Sequence, residues 1–235
     1  GCPTDAKQST ALTYLPRALK HSCQIFTGTK AIRVNLLGKS ITVDATTTQK
    51  GERKKVTIES DYVFLAGGAI QTPHLIRKSK INSFAGKNLE FHINLKFVAE
   101  FDNAINSQKG TIFTTQVQEF QNQDLLIMAS NYRKNYLGMT MAHFNNNTIN
   151  KVMERYNYCG LYVAQLRAES KGKVYSGFRD PIVTYSFDER DMIKIKDSIK
   201  KTVRLLFHSG AKTIYLPVKG SKPIFNPDGH YFRGI

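Results

Sequence analysis

The 235-residue sequence predicts an α/β segment followed by an α+β segment, the latter built on a mixed or antiparallel β-sheet with helices on one face. Three observations lead there. Residues 1–90 alternate helical and strand-like stretches, the texture changes near residue 91 to successive strand-like runs, and residues 188–209 carry one long amphipathic pattern.

The elements follow in order. Leu12, Leu15 and Leu19 recur at helical spacing with Pro16 interrupting, so residues 9–21 are expected to form a kinked helix or two short turns. Residues 24–37 read as extended. "SITVDATTT" and "KVTIES" alternate well enough to pair as a hairpin around the basic tip "KGERKK" at 50–55. The aromatic and β-branched "DYVFL" that follows reads as a buried strand. After Gly67 and Gly68 a helix is expected to open at Thr72-Pro73, where proline's missing N–H would have no partner anyway and Thr72 can cap. Helix, strand, hairpin, strand, helix is an order that suits the last part of a dinucleotide-binding domain.

Beyond residue 91, "FHINLKFVAEFD", "GTIFTTQVQEF", "DLLIMASNYR", "YCGLYVAQLRAE" and "PIVTYSF" are five candidate strands, and "HFNNNTIN" reads as a polar loop leading into a helix. In 188–209 the residues Met192, Ile195, Ile199, Val203 and Leu206 form one stripe, which is expected to cover a face of the sheet. Ser186 and Glu189 have capping-box spacing, and Gly210 can close the C-terminus. The expected division is 1–90, 91–217 and a C-terminal extension, 218–235.

Composition excludes several classes. The formal charge of +16 first suggests a nucleic-acid partner. The excess is spread, however, with ten Lys/Arg against four acids in 1–60, eight against four in 121–180 and ten against five in 181–235. No short motif joins a basic face to stacking aromatics, so no nucleic-acid site is expected. No stretch is apolar enough for a transmembrane span, and the opening "GCPTDAKQST" lacks the apolar core of a signal peptide. Cys2, Cys23 and Cys159 have neither disulfide nor zinc spacing, and the six histidines form no metal-binding pair. A reducing compartment, the cytoplasm, is therefore expected.

The glycine pair is the strongest local signal. Glycine between a strand and a helix allows positive φ or close approach of a ligand, and the helix N-terminus attracts anions. An isolated Gly-Gly is more often only a tight turn, and its wider context decides between the two.

That context resembles the glucose-methanol-choline (GMC) family of FAD-dependent oxidoreductases, in the branch near cholesterol oxidases and long-chain alcohol oxidases. "GCPTDAKQSTALTYLPRALKHSCQIFTGTKAIRV" is similar to the family's Gly-Cys segment, helix and adenine-side strand. "AGGAIQTPHLIRKSKI" resembles its Gly-Ala, Ser/Thr-Pro signature through Gly68, Ala69, Thr72, Pro73, Leu75, Ile76, Ser79 and Ile81, with Lys80 and Asn82 where glycines are usual. "GKNLEFHIN" matches through Gly86, Asn88, Leu89 and His92, and residues 180–217 resemble the family's late strand, long helix and Gly-Ala turn. The resemblance runs from Gly1 to about Pro217.

It implies the C-terminal part of an FAD-binding, Rossmann-like domain over 1–90 and a β-sheet substrate domain over 91–217. FAD is the implied cofactor, with Ala31, Gly67, Gly68, Ala69 and Thr72 as its contacts, and the implied substrate is a sterol or long-chain alcohol oxidised by hydride transfer to flavin. Phe113, Met139, Met141 and Phe144 would lie in the sheet region that roofs the substrate, where ordinary core is the simpler role. The family's GxGxxG fingerprint and its C-terminal catalytic-His segment are not found, so no catalytic residue is assigned and the chain is expected to be an internal fragment, inactive alone, whose partners are the missing parts of the same protein. His92 is expected to be a structural hydrogen-bonding residue, and His230 to lie on a terminal loop. The alternative is a non-catalytic binding or scaffold subunit derived from the same fold.

Overall fold

The computed structural model describes residues 6–38, 40–110 and 113–225. Cys2, His230 and most of the 218–235 extension lie outside them. Along the chain the elements are α1 (Tyr14–Lys20), β1 (Thr29–Leu37), β2 (Ser40–Gln49), β3 (Glu52–Ser60), α2 (Gly68–Lys78), β4 (His92–Glu100), β5 (Gln116–Val117), β6 (Leu125–Ser130), α3 (Lys134–Thr140), α4 (Asn146–Glu154), β7 (Cys159–Arg167), β8 (Lys173–Ser176), β9 (Pro181–Thr184), α5 (Glu189–His208), β10 (Thr213–Tyr215) and β11 (Ile224–Phe225). The fold is mixed α and β, with every strand pair antiparallel.

The chain divides into two units. The first comprises residues 8–90 and 170–186, and the second comprises 1–7, 91–169 and 187–235. Residues 170–186 thus fold with the first unit, although they follow the strands of the second in sequence.

In the first unit β1, β2 and β3 form an antiparallel sheet in that order. The β2–β3 connection is a two-residue turn in which Lys50 and Gly51 both have positive φ, 48° and 84°, the geometry that matches the twist of a hairpin. The basic run 50–55 therefore spans the turn and the start of β3. "DYVFL" is not a strand: no described residue forms a ladder with it, and Tyr62 and Phe64 are 82% and 92% exposed. Its alternation is real, with Val63 and Leu65 half-buried. A strand also needs a neighbour for its N–H and C=O groups, and none among the described residues pairs with it.

The second correction concerns the helix start. α2 begins at Gly68, the second glycine of the pair, with Gly67 at the cap position, so Thr72 and Pro73 lie inside the helix and Thr72 is not its cap. Gly68 has φ of +76°, a conformation that L side chains resist, and the helix therefore starts where the glycine permits the turn. The two-stranded β8–β9 hairpin packs on α2. Gly86 joins this hairpin to the "GKNLEF" turn: Val174 N–H donates to its carbonyl at 2.7 Å, and a Cβ there would lie 2.6 Å from the Val174 oxygen.

In the second unit a six-stranded sheet runs β11-β10-β4-β7-β6-β5. Its long central pair keeps strict register from His92↔Arg167 to Glu100↔Cys159. One face, with Phe97, Ala99, Ile127, Ala164 and Leu166, packs against Val203 and Leu206 of α5, as the amphipathic pattern predicts. The other face bears a second cluster, in which Val98 and Leu161 meet Leu137, Met141 and Val152 from α3 and α4. Of the residues expected in that region, Met141 is buried and Phe144 packs against this cluster, whereas Met139 and Phe113 are exposed.

α5 differs from its expected pattern in two ways. Met192 is exposed, and the buried face instead includes Asp191, Ser198 and Thr202. The two hydroxyls donate to helix carbonyls, Ser198 to Ile195 at 2.8 Å and Thr202 to Ser198 at 2.7 Å, so small polar residues sit against the sheet with their hydrogen bonds satisfied. The cap is Asp188, not Ser186: its carboxylate accepts the Asp191 N–H at 3.0 Å. Arg190 and that N–H hold the Asp188 carboxyl below its ordinary pKa, because the helix N-terminus favours the anion.

Leu206→Ala should lower stability by about 3 kcal/mol through the lost transfer energy and the cavity left behind, whereas Ile193→Ala, 60% exposed on the same helix, should change it by less than about 0.5 kcal/mol. Urea midpoints of the two variants check this, and equal losses would place α5 differently.

Candidate functional site

The first unit contains a cavity of about 680 Å³ bounded by β1, β2, the start of β3, residues 64–67, one side of α2 and the turn at 178–180. Its size is in the range of small-molecule sites. The floor comes from the edge strand β1, whose residues Thr29–Ile32 line it. An edge strand presents N–H and C=O groups that no second strand takes up, which suits recognition of a flat polar base.

β1 also has a bulge: Ala31 pairs with Ala45, and the register then slips so that Arg33 faces Asp44. Beyond the slip, Val34 N–H donates to Ser79 Oγ at 2.9 Å, joining the strand to the C-terminal end of α2. The other side of α2 is tied to the β8–β9 hairpin. Ser176 Oγ lies 3.1 Å from Nδ1 of the buried His74, and Lys78 Nζ donates to the Phe178 carbonyl at 3.5 Å.

Of the residues expected to contact a cofactor, Ala31, Gly67 and Thr72 line the cavity, while Gly68 and Ala69 are in the first turn of α2 and do not. A Cβ on Gly67 would come within 3.3 Å of the Thr72 nitrogen and hydroxyl, so this glycine lets the first turns of the helix close. The Thr72 hydroxyl is buried and has no hydrogen-bond partner among the described residues, an unmet polar group in a residue of the cavity wall.

Sequence reasoning missed Arg53, His74, Lys78 and the 178–180 turn as parts of this wall. Arg53 was visible only as one of several cations in a hairpin tip. The turn lies about a hundred residues from α2 in sequence, and nothing local signals that it returns there. Four cations line the cavity, Lys30, Arg53, Lys78 and Arg179, against one carboxylate, Asp180, which lies 3.6 Å from Lys30.

His92 is elsewhere. It is the exposed first residue of β4 and makes no side-chain hydrogen bond among the described residues, so its expected structural hydrogen bonding is not seen. A smaller cavity, about 350 Å³, lies in the second unit where Asn94 and Lys96 of β4 meet Tyr136, Met139, Thr140 and His143. There His143 Nε2 contacts the Leu216 carbonyl at 2.9 Å, and the Lys96 ammonium lies 4.6 Å from the centre of the Tyr136 ring. No group of three or more metal-ligating side chains occurs among the described residues, and no described helix is long and apolar enough to cross a membrane.

Two predictions follow from this geometry. Lys80 has φ of +60°, so a residue stands in the left-handed region where glycine is favoured. Lys80→Gly should stabilise the chain by about 0.5–1 kcal/mol, the relief of the Cβ strain less the entropy glycine loses; a lower melting temperature would show the lysine side chain to matter more. The second concerns His74, whose pKa is lowered first by burial and then by Lys78 and Lys30, with Asp180 opposing. The folded chain therefore resists protonation, and stability should fall as pH drops from about 6.5 through the lower native value. His74→Gln should remove that part of the acid loss. Parallel stability curves for the two proteins between about pH 7 and pH 5 would refute it.

Comparison with known proteins gives the site its context. Residues 1–94, which include β1, the glycine turn and α2, match the family model described as GMC oxidoreductase. The chain is 26% identical over 231 residues to an uncharacterized GMC-type oxidoreductase of Sinorhizobium fredii, covering 97% of this chain and 45% of that protein. It is 23% identical over 227 residues to an uncharacterized GMC-type oxidoreductase of Mycobacterium tuberculosis, covering 95% and 36%. A long-chain-alcohol oxidase of Arabidopsis thaliana is 26% identical over 237 residues, covering 91% and 31%. The chain thus spans less than half the length of these relatives. Residues 1–94 match the GMC oxidoreductase family model, and along nearly its whole length the chain is similar to GMC-type oxidoreductases.

Proposed function

We propose that this chain is part of an FAD-dependent oxidoreductase that oxidises a sterol-like or long-chain alcohol. The observation that supports this best is the cavity beside the glycine turn, because most of its lining belongs to the stretch that matches the GMC family model and its walls suit the adenosine-diphosphate end of FAD. In this reading residues 1–90 serve the cofactor together with the 178–180 turn, the rest of 91–217 serves the substrate, and 218–235 form an extension. The relative named a long-chain-alcohol oxidase favours the substrate class.

The roles of the chain's own residues are binding and orientation. Backbone at Ala31 on the edge strand meets the base, the Thr72 hydroxyl gains the partner it lacks, and the close approach at Gly67 keeps that hydroxyl and the start of α2 at the cavity wall. The turn at 178–180 closes one side. When bound, FAD supplies the hydride acceptor for the carbinol carbon. The open part of the second unit's sheet, with Asn94, Lys96 and Tyr136, supplies a wall for substrate. No side chain described here is assigned as the base that takes the hydroxyl proton. Burial lowers the pKa of His74, and its ring is engaged with Ser176.

The test uses the chain within the longest reading frame of its gene. That protein should be yellow and should bleach when a long-chain alcohol is added without oxygen; absence of a flavin band would overturn the reading. The 235-residue chain alone should be colourless after FAD is added and the sample desalted, because contacts to one end of a large dianionic ligand hardly offset the cost of immobilising it. A yellow chain that reduces its flavin with an alcohol would place the whole reaction within these residues.

A further inference from the structure

We propose that the cavity of the second unit is a carboxylate site centred on Lys96, which takes a monocarboxylate with an apolar body. This deepens the reading in which the same wall serves substrate, and it rests on that reading in one respect: the carboxylate then belongs to the alcohol that is oxidised.

A strand and a helix bring the polar groups to one place. Asn94, Lys96 and Val98 alternate along β4 and therefore project from one face of the sheet. Val98 shares a buried cluster with Leu137 of α3, so Asn94 and Lys96 are on the α3 side as well. There Tyr136, Met139 and Thr140 of α3 line the cavity with them. Its volume of about 350 Å³ is near the lower end of small-molecule sites.

Lys96 carries the charge. Its ammonium is held 4.6 Å from the centre of the Tyr136 ring, and a ring face attracts a cation without taking up its N–H groups as a carboxylate does. Lys96 is half-buried and has no carboxylate partner among the described residues, and no carboxylate lines the cavity. The ring thus fixes the position of the charge while its hydrogen-bonding capacity stays open.

The groups around it are donors. Asn94 Oδ1 accepts from Gln165 Nε2 at 3.1 Å across the β4–β7 pair, which leaves the Asn94 NH2 group to donate. The Tyr136 hydroxyl makes no hydrogen bond among the described residues. The Thr140 hydroxyl donates to the Tyr136 carbonyl at 3.0 Å and His143 Nε2 to the Leu216 carbonyl at 2.9 Å, so these two hold the wall and add no donor to the cavity. One ammonium and two neutral donors match the single charge and the lone pairs of a carboxylate. A phosphate monoester would leave its second charge unmet, and a neutral alcohol would leave the ammonium unpaired. Met139 and Pro217 supply apolar wall for the rest of the ligand.

The test is an NMR titration of the isotope-labelled 235-residue chain with sodium octanoate, read at the backbone amides of residues 94–96 and 136–140. These signals should shift together and saturate with a Kd of about 1 mM, in keeping with the size of the ligand. Octanol and octylammonium should each bind at least about tenfold more weakly, and octyl phosphate no more tightly. Lys96→Met keeps the aliphatic stem and should weaken octanoate by at least about tenfold. Asn94→Asp keeps the acceptor for Gln165 but sets a carboxylate beside the ammonium, and should weaken octanoate by at least about tenfold as well. Tyr136→Phe should cost about threefold, the loss of one neutral hydrogen bond. Lys151→Gln, a charge removed from α4 outside the cavity, should have little effect. Asn94 and Tyr136 are exposed, and unchanged melting curves will show their variants to be folded.

No saturable shift at these amides, octanol binding as tightly as octanoate, octyl phosphate binding at least about tenfold more tightly, undiminished affinity in Asn94→Asp, or a Lys151→Gln loss as large as that of Lys96→Met would each overturn the carboxylate site. The reading of function fails separately. Octanoate selectivity in the chain with no flavin in the longer protein would remove the oxidoreductase and leave the site, while flavin in the longer protein without octanoate selectivity would do the reverse.

Discussion

Everything at the candidate site depends on where α2 is held. The helix has one buried side chain, His74, so it has no broad apolar face to dock by. It is positioned instead by a few directional contacts: Val34 N–H on Ser79 at one side, and Ser176 on His74 and Lys78 on the Phe178 carbonyl at the other. Hydrogen bonds of this kind contribute modestly to net stability, yet leaving a buried partner unmet is costly, so they fix the position of the helix more strongly than they stabilise it. The cavity is the space that this placement leaves between α2, the edge strand and the hairpin.

The second unit is organised by the opposite means. Its long β4–β7 pair offers two apolar faces, one meeting α5 and the other α3 and α4. Burial of a face this wide provides the main stabilisation, and polar detail is fitted within it. Ser198 and Thr202 bond back to their own helix and so enter the interface without an unmet donor. Tyr132 and Tyr156 do the same on the far side, each hydroxyl reaching a backbone carbonyl of the neighbouring segment. Burial there pushes the Cys159 thiol up to about 12, which fits a packing residue and not a nucleophile.

The departures from expectation arise where a partner is missing or where backbone conformation outweighs the local residue signal. "DYVFL" has the composition and alternation of a strand, but composition cannot supply a neighbour, and without a ladder the segment stays extended with Tyr62 and Phe64 outward. The start of α2 moved because the glycines, not Pro73, decide where the backbone can turn. Lys80 keeps the left-handed turn that its neighbours impose even without glycine, since tertiary context can override local preference at a cost of order 1 kcal/mol.

From the sequence alone came the order of most strands, the α5 helix, a hairpin around the basic run at 50–55, the glycine turn and its resemblance to the GMC family. These rest on short-range physics: periodic burial, turn chemistry and capping act over a few residues and leave a local record. Only the tertiary structure decided that residues 170–186 return to the first unit, that Arg53 and Arg179 line one cavity, and that Ser198 and Thr202 lie in the buried face of α5. These facts depend on chain closure between residues far apart in sequence, and a side chain carries no sign of which distant surface it will meet until the fold brings the two together.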